Sequence, residues 1–354
     1  MVFAKIKAVV AMSGGVDSSV AAALLKEKGF EVIGITMCFN IPDIITRKPR
    51  CCGLQGIEDA RRVAHKLGIR HYVVNMKKAL EDKVIKDFCR EYLLGKTPNP
   101  CIRCNQFIKF QALLNKAKSL GASYLATGHY AKIENGMLKK ARDLKKDQSY
   151  FLYRLGRNQL KRLLFPLGGY TKDEIRGLAR GFGLSVADKT ESQEICFLPE
   201  DNYRQFLKSR FPGMIRPGEV VDAEGRVLGK HKGIALYTIG QREGLGIATG
   251  FPIYVIRIEP RANRVVVGKK NEVLKKEFIV GNLHFIGKPI KKKIEVNVKI
   301  RYNHKETRGA LFPQANTVKV RFNSPQFAIT PGQSAVFYEK DTVLGGGIIT
   351  KVFN

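Results

Sequence analysis

Short apolar runs alternate with amphipathic stretches along the N-terminal half of this chain. Lys7–Ala11 (KAVVA) is a Val-rich run; MSGGVDSS follows, and then VAAALLKEKGF, whose apolar positions recur at helical spacing until Gly29. This order predicts a buried strand, a glycine-rich turn and an amphipathic helix. Val32–Met37 reads as a second strand, Ile57–Leu67 as a helix stopped by Gly68, and His71–Asn75 as a third strand. FIKFQALLNKAKSLG then reads as a helix and ASYLATGHY as a strand with Thr127–Tyr130 at its carboxyl end. Such alternation implies βαβ units on an open, doubly wound parallel sheet, an α/β fold whose ligands bind outside the strands' carboxyl ends. Beyond Cys196 the period changes to two: RPGEVVDAEGRVLGKHKG, FPIYVIRIEPRANRVVVG and NTVKVRFNSP are strands broken by Gly, Pro and Asn turns. The expected domains are therefore 1–205, a small β-rich 206–273 and a β-barrel at 274–354, with the join near 270–280.

Composition fits a soluble globular protein, 44% hydrophobic and 26% charged over 354 residues. No apolar run reaches the roughly 18 residues of a membrane helix, and no secretory leader is visible at the N-terminus, so a cytoplasmic protein with no membrane partner is expected. The balance of charge is unusual: 62 Lys and Arg face 31 Asp and Glu, a net +31. A polyanion is the natural partner, nucleic acid first. Two stretches concentrate the excess. Residues 139–162 carry a net +7 interleaved with Tyr150, Phe151 and Tyr153, a mixture suited to RNA backbone contact and base stacking; residues 281–330 carry +8 on β-structure.

Ser13-Gly14-Gly15-Val16-Asp17-Ser18-Ser19 lies between a strand and a helix. Glycines let the backbone approach an anion, the helix N-terminus offers N–H groups and a positive dipole end, and Ser13, Ser18 and Ser19 add hydroxyls. Asp17 suits a phosphate only if it holds Mg²⁺. No Lys stands in the loop, so this is not a Walker site. The segment resembles the PP-loop of the N-type ATP pyrophosphatases, which cleave ATP between its α and β phosphates to adenylate a carbonyl oxygen.

Seven cysteines in a cytosolic-looking chain argue against a disulfide framework. Cys101 and Cys104 stand at CxxC spacing in TPNPCIRCN, on an approach stiffened by two prolines, with Arg103 placed to favour a thiolate. That spacing suits a redox pair, half a zinc site or part of an iron–sulfur cluster. Cys196 stands far away in ESQEICF. Cys51-Cys52 follows a basic RKPR; Cys38 and Cys89 sit in apolar contexts.

Both cysteine segments and the glycine loop resemble those of the tRNA-specific 2-thiouridylases, as do ATGHYA, KDQSY, TIGQREGLG, Arg301-Tyr302 and Pro331-Gly332-Gln333, so the resemblance spans nearly the whole chain. It implies ATP-dependent 2-thiolation of the wobble uridine 34, in a PP-loop catalytic domain followed by two β-domains, the last a tRNA-binding barrel. Position by position it implies Cys104 as nucleophile and Cys196 as persulfide carrier. Ala11, Met12, Ser13, Gly14, Gly15, Val16, Asp17, Ser18, Ser19, Met37 and Gly128 would bind ATP. Asn99, Pro100 and Cys101 would meet the target base, and His129, Lys146, Asp147, Gln148, Arg301, Tyr302 and Gln333 the tRNA, expected to be those for Lys, Glu and Gln. Many family members have Asp where this chain has Cys101. A third thiol allows Cys101, Cys104 and Cys196 to hold a [4Fe–4S] cluster that delivers sulfide, and three thiols exceed what a two-cysteine relay needs. Against the cluster stands the relay itself, in which Cys196 carries sulfur and Cys104 later closes a disulfide with it. The sulfur donor is a cysteine desulfurase, a relay protein or sulfide. Two other readings compete: a PP-loop ligase or amidotransferase acting on a small substrate, and a non-catalytic RNA-binding iron–sulfur carrier.

Overall fold

The computed structural model describes residues 5–39, 53–191, 195–198 and 202–353. It divides into two compact units: residues 1–84, 101–201 and 341–343 form the first, and 85–100, 202–340 and 344–354 the second.

The first unit is built on β1 (Lys7–Ala11), β2 (Glu31–Cys38), β3 (Arg70–Asn75), β4 (Tyr124–Ala126) and β7 (Leu163–Leu164), all parallel, in the order β3-β2-β1-β4-β7. Strand order therefore reverses between β1 and β4, and the crevice at their carboxyl ends is the expected place for a ligand. Helix α1 (Val16–Glu27) leaves β1 and buries Val20, Ala21, Leu24 and Leu25 against Val10, Ala126 and Ile175. Apolar atoms removed from water here contribute about 25 cal/mol per Å². Helix α2 (Leu54–Lys66) packs beside β2 and β3 through Ala60, Val63 and Ala64. A hairpin, β5 (Ala131–Glu134) and β6 (Met137–Lys140), follows β4 and ends where the basic stretch begins.

The stretch read as one helix from Phe107 onward is continuous with a turn that starts at Pro100, but over Cys104–Ala112 it widens to π geometry before the α-helical Leu113–Ser119. Such widening is uncommon and concentrates at functional sites. Two of the three aromatics expected to stack on RNA do not: Tyr150 and Tyr153 are fully buried, while Phe151 is half-buried. They stand in a run of apolar neighbours, and core packing outbids exposure for side chains of that size.

In the second unit, β8 (Gly218–Val221), β9 (Val227–His231), β10 (Tyr254–Glu259) and β11 (Arg264–Gly268) form a four-stranded sheet over Val220, Leu236, Val255 and Val265. A six-stranded barrel follows, made of β12 (Leu274–Phe285), β13 (Ile294–Lys299), β14 (Thr307–Pro313), β15 (Val318–Phe327), β16 (Ser334–Glu339) and β17 (Thr342–Val352), and closed by pairing of β12 with β17. The period-2 pattern sorts its faces: Val318, Val320 and Phe322 fill the interior, while Lys319 and Arg321 reach Glu277 outside. Closure leaves the barrel without free edges.

The segment 85–100 is held within this unit by groups converging on Thr97. Its N–H donates to Pro331 O at 3.0 Å, its carbonyl accepts from Gln333 Nε2 at 3.0 Å, and its hydroxyl lies 3.2 Å from that of Thr238. Gln333→Ala removes one of these bonds, worth about 1 kcal/mol. Hydrogen exchange over residues 94–99 is expected to quicken by roughly fivefold, with exchange in β1 unchanged; equal rates in both proteins would exclude this anchor.

Candidate active site

The glycine loop is fixed by its own backbone before any ligand arrives. After β1, Met12 N–H donates to Ile35 O at 2.8 Å. Gly14 then adopts φ +73°, and a Cβ there would fall 2.1 Å from Gly56 O on α2. Only glycine satisfies both conditions. Ser18 Oγ accepts from Ser13 N–H at 3.1 Å and donates to Gly15 O at 3.1 Å, and Ser19 Oγ donates to Gly15 O at 2.9 Å. Two of the three hydroxyls expected to meet an anion thus brace the turn instead, and Ser13 is the exposed one. From the other side of the crevice, the end of β4 comes so close that a Cβ on Gly128 would lie 2.8 Å from the Asp17 carbonyl carbon and Ser18 N. Ala11 and Met37 stand at the ends of the neighbouring strands β1 and β2.

Asp17, on the first turn of α1, is answered by a lysine that spacing did not reveal. Its Oδ1 accepts from Tyr130 Oη at 2.8 Å and from Lys172 Nζ at 2.7 Å. Burial, reinforced by the charge of Asp17, pushes the Tyr130 phenol far above its usual range, so it remains a donor. Lys172, with 9% of its side chain exposed, also meets Glu191 Oε1 at 2.7 Å, and Glu191 Oε2 meets Lys146 Nζ at 2.7 Å. Burial raises the Glu191 carboxyl, but the bonds from Lys146 and Lys172 outweigh it and hold it below its ordinary value. A second tether lies nearby: Lys189 Nζ donates to Gly14 O at 2.9 Å and to Asp59 Oδ2 at 2.5 Å. Burial raises Asp59 as well, and Lys189 and Arg62 bring it below the usual carboxylate range.

Lys172, Glu191, Tyr130, Lys189 and Asp59 are the residues that sequence reasoning missed. One local signal pointed to the first: Thr171 and Glu174 form a capping box that starts the helix Lys172–Gly181 and sets Lys172 at its first turn.

Of the residues matched to tRNA contact, several are spent on scaffolding. Asp147 is buried, accepting from Ala141 N–H at 2.9 Å and from Ser149 Oγ at 2.7 Å. Gln148 is bonded to Tyr130 through both its backbone and its side chain. His129 is 8% exposed, with Nδ1 2.7 Å from Thr127 Oγ1, and burial holds its pKa well below the ordinary imidazole value. A neutral, enclosed ring packs and positions; it is not poised as a base at neutral pH. In the second unit Arg301 donates to Ile239 O at 3.1 Å and to Thr330, Tyr302 lies under Lys299, and Gln333 holds Thr97.

Cys104 is buried where the π-helical stretch begins, and Cys101 is half-buried one turn earlier. The stretch is secured by Asn105 Nδ2 donating to Phe151 O and Gln159 Nε2 donating to Phe110 O. Phe110 packs on the rings of His129 and Phe165, with centroids 5.6 and 5.9 Å away. The cysteine helix therefore rests on the same strand end that presses against the glycine loop. Arg103, beside the thiols, lies over the Phe107 ring at 4.7 Å. Cys196 is half-buried, followed by fully enclosed Phe197 and Leu198. Asn99 and Pro100 precede the thiols, and Pro100 is buried.

Among the described residues Cys101, Cys104 and Cys196 are reduced, and no three His, Cys, Asp or Glu side chains gather closely enough to hold a metal ion. As arranged, the three cysteines do not fit the expected [4Fe–4S] cluster, whose ligands must converge on one point. Cys51 and Cys52 lie outside the described residues, as do residues 192–194 of the Cys196 motif. Among the described residues no helix is long and apolar enough to cross a membrane.

Three family models match in series: a tRNA methyl transferase HUP domain over residues 6–200, a tRNA methyl transferase PRC-barrel domain over 204–269 and an aminomethyltransferase beta-barrel domain over 275–349. The tRNA-specific 2-thiouridylase MnmA of Halothermothrix orenii is 51% identical over 98% of this chain and 99% of its own. Its counterpart in Clostridium acetobutylicum is 52% identical over 97% and 99%, and that of Carboxydothermus hydrogenoformans 51% identical over 98% of each. Identity at about half of all positions, sustained from one end to the other, means that the chain belongs to the tRNA-specific 2-thiouridylase family.

Proposed function

We propose that this chain replaces the C2 oxygen of the wobble uridine of tRNA with sulfur, in two stages at the strand ends of the nucleotide unit. One observation carries the reading: a glycine loop whose acid is neutralised by a buried lysine is packed, through Gly128, His129 and Phe110, against the helix that bears Cys104.

Uridine O2 is a poor leaving group, so it is first made a good one. In this reading ATP lies over the first turn of α1, where backbone N–H groups and the helix dipole favour phosphate. Lys172 supplies the fixed positive charge that the loop lacks. Its pairing with Asp17 lets that acid stand near phosphate without a metal of its own; Mg²⁺ is expected to arrive with ATP. O2 attacks the α-phosphorus, the bond to the bridging oxygen breaks, and pyrophosphate leaves.

In the second stage the terminal sulfur of a Cys196 persulfide attacks C2 and AMP departs with the former O2. The Cys104 thiolate then attacks the Cys196 sulfur, so that a Cys104–Cys196 disulfide forms and the thiocarbonyl is released. A reductant must reopen that disulfide before another turnover. The base has to leave the anticodon stack to reach these groups. The substrates expected are the tRNAs for Lys, Glu and Gln, with a cysteine desulfurase or a persulfide-bearing relay protein loading Cys196; sulfide would load it only by opening the Cys104–Cys196 disulfide, which supplies the two-electron oxidation.

Nucleoside mass spectrometry of tRNA incubated with ATP, Mg²⁺ and a persulfide donor should show 2-thiouridine at position 34. Cys104→Ser and Cys196→Ser are each expected to lower it by roughly a hundredfold or more, with tRNA affinity kept. Cys101→Asp should retain activity, and iron removal should leave it unchanged; thiolation that needs both iron and Cys101 would instead restore the cluster. ATP–pyrophosphate exchange without RNA would favour a small-substrate ligase.

Lys172→Met removes a buried charge partner of two carboxylates. It should weaken ATP binding by about tenfold and lower the unfolding midpoint of the nucleotide unit. Wild-type ATP affinity in this variant, measured by calorimetry, would exclude Lys172 from phosphate binding.

A further inference from the structure

Glu191 lies outside the glycine loop, yet its carboxylate closes a row of alternating charges: Asp17, Lys172, Glu191, Lys146, each step 2.7 Å. The row is electrically balanced as it stands. An anionic ligand arriving at the first turn of α1 would therefore meet two carboxylates beside one lysine already committed to both. Like charges brought together in a partly enclosed site repel strongly, so one carboxylate must yield.

The two are held differently. Asp17 is part of α1, keeps a second partner in the Tyr130 hydroxyl at 2.8 Å, and has Gly128 pressed against its backbone. Among the described residues the Glu191 carboxylate bonds are those to the two lysines, and its side chain is 24% exposed. With both lysines near, Glu191 is charged at neutral pH. It is also the fifth residue before Cys196, two residues past Lys189, whose ammonium grips Gly14 O and Asp59.

We propose that Glu191 is a built-in stand-in for a phosphate of ATP: it occupies Lys172 and Lys146 while the nucleotide site is empty, and the triphosphate displaces it from Lys172. The inference rests on the reading of the glycine loop as the ATP site and adds a regulatory contact to it. Nucleotide binding is weakened by the competition, and it is registered on the stretch of chain that leads to the sulfur-bearing cysteine.

The test is titration of the full chain, without tRNA, with the magnesium complex of α,β-methylene-ATP. Glu191→Gln keeps the shape and removes the charge, and is expected to bind roughly fivefold more tightly than wild type, the scale of one partly screened ion pair. Glu191→Asp should stay near wild type. Hydrogen exchange supplies a second readout on the wild-type protein alone: the analogue should speed exchange over residues 187–191. Equal or weaker binding by a normally folded Glu191→Gln protein would overturn the proposal, as would unchanged exchange in nucleotide-saturated wild type. Absence of any binding by the wild-type chain would overturn the ATP reading beneath it.

Discussion

Asp17 holds Tyr130, which lies 113 residues further along the chain, and Lys172, which lies 155 residues further. Its carboxylate stands at the positive end of α1, where a negative charge is favoured by the helix dipole. Lys172 is buried against it, and the enclosed ammonium takes its counter-charge from Asp17 together with Glu191. Tyr130 is braced in turn by Gln148, and the run around Gln148 is tied down by buried Asp147. The loop, the end of β4 and the start of the helix Lys172–Gly181 are thus tied to one another through this contact.

Local features of the chain were readable where local physics decides them. The Val-rich strand, the glycine turn and the Ala-rich helix follow from periodicity and from the few residues that tolerate the turn, and all three stand where the pattern put them. The barrel strands were legible because a wall with one wet and one dry face writes its alternation into the sequence. What could not be read was anything made by distant segments. Lys172 and Glu191 look like ordinary surface charges until the fold brings them to Asp17. Tyr150 and Tyr153 looked like stacking platforms because a basic stretch surrounds them, yet both rings are enclosed in the core, and Arg154 lies over that of Tyr153. The π-helical widening at Cys104 likewise has no simple signature, since the same residues would serve an α-helix.

The cysteines illustrate how spacing and placement carry different information. Three thiols in two motifs suggested a cluster, but ligands to one iron centre must point at a common centre, and no such convergence exists among the described residues. A relay makes a weaker demand: its sulfurs need to meet only in sequence, one bond at a time. Burial of Cys104 at the mouth of a helix, and of Phe197 and Leu198 beside Cys196, is compatible with that weaker demand.

The boundary between the two compact units passes between Pro100 and Cys101. The residues before it take their place from Thr97, whose partners are Pro331, Gln333 and Thr238, all far downstream. For recombination among relatives this has a cost that domain order conceals. A chimera that exchanges only the C-terminal β-domains would marry a foreign barrel to a native proline loop, directly in front of the first thiol. The inheritable module is discontinuous: residues 85–100 have to travel with the distant half of the chain, and the two crossovers around them matter as much as the one near residue 201.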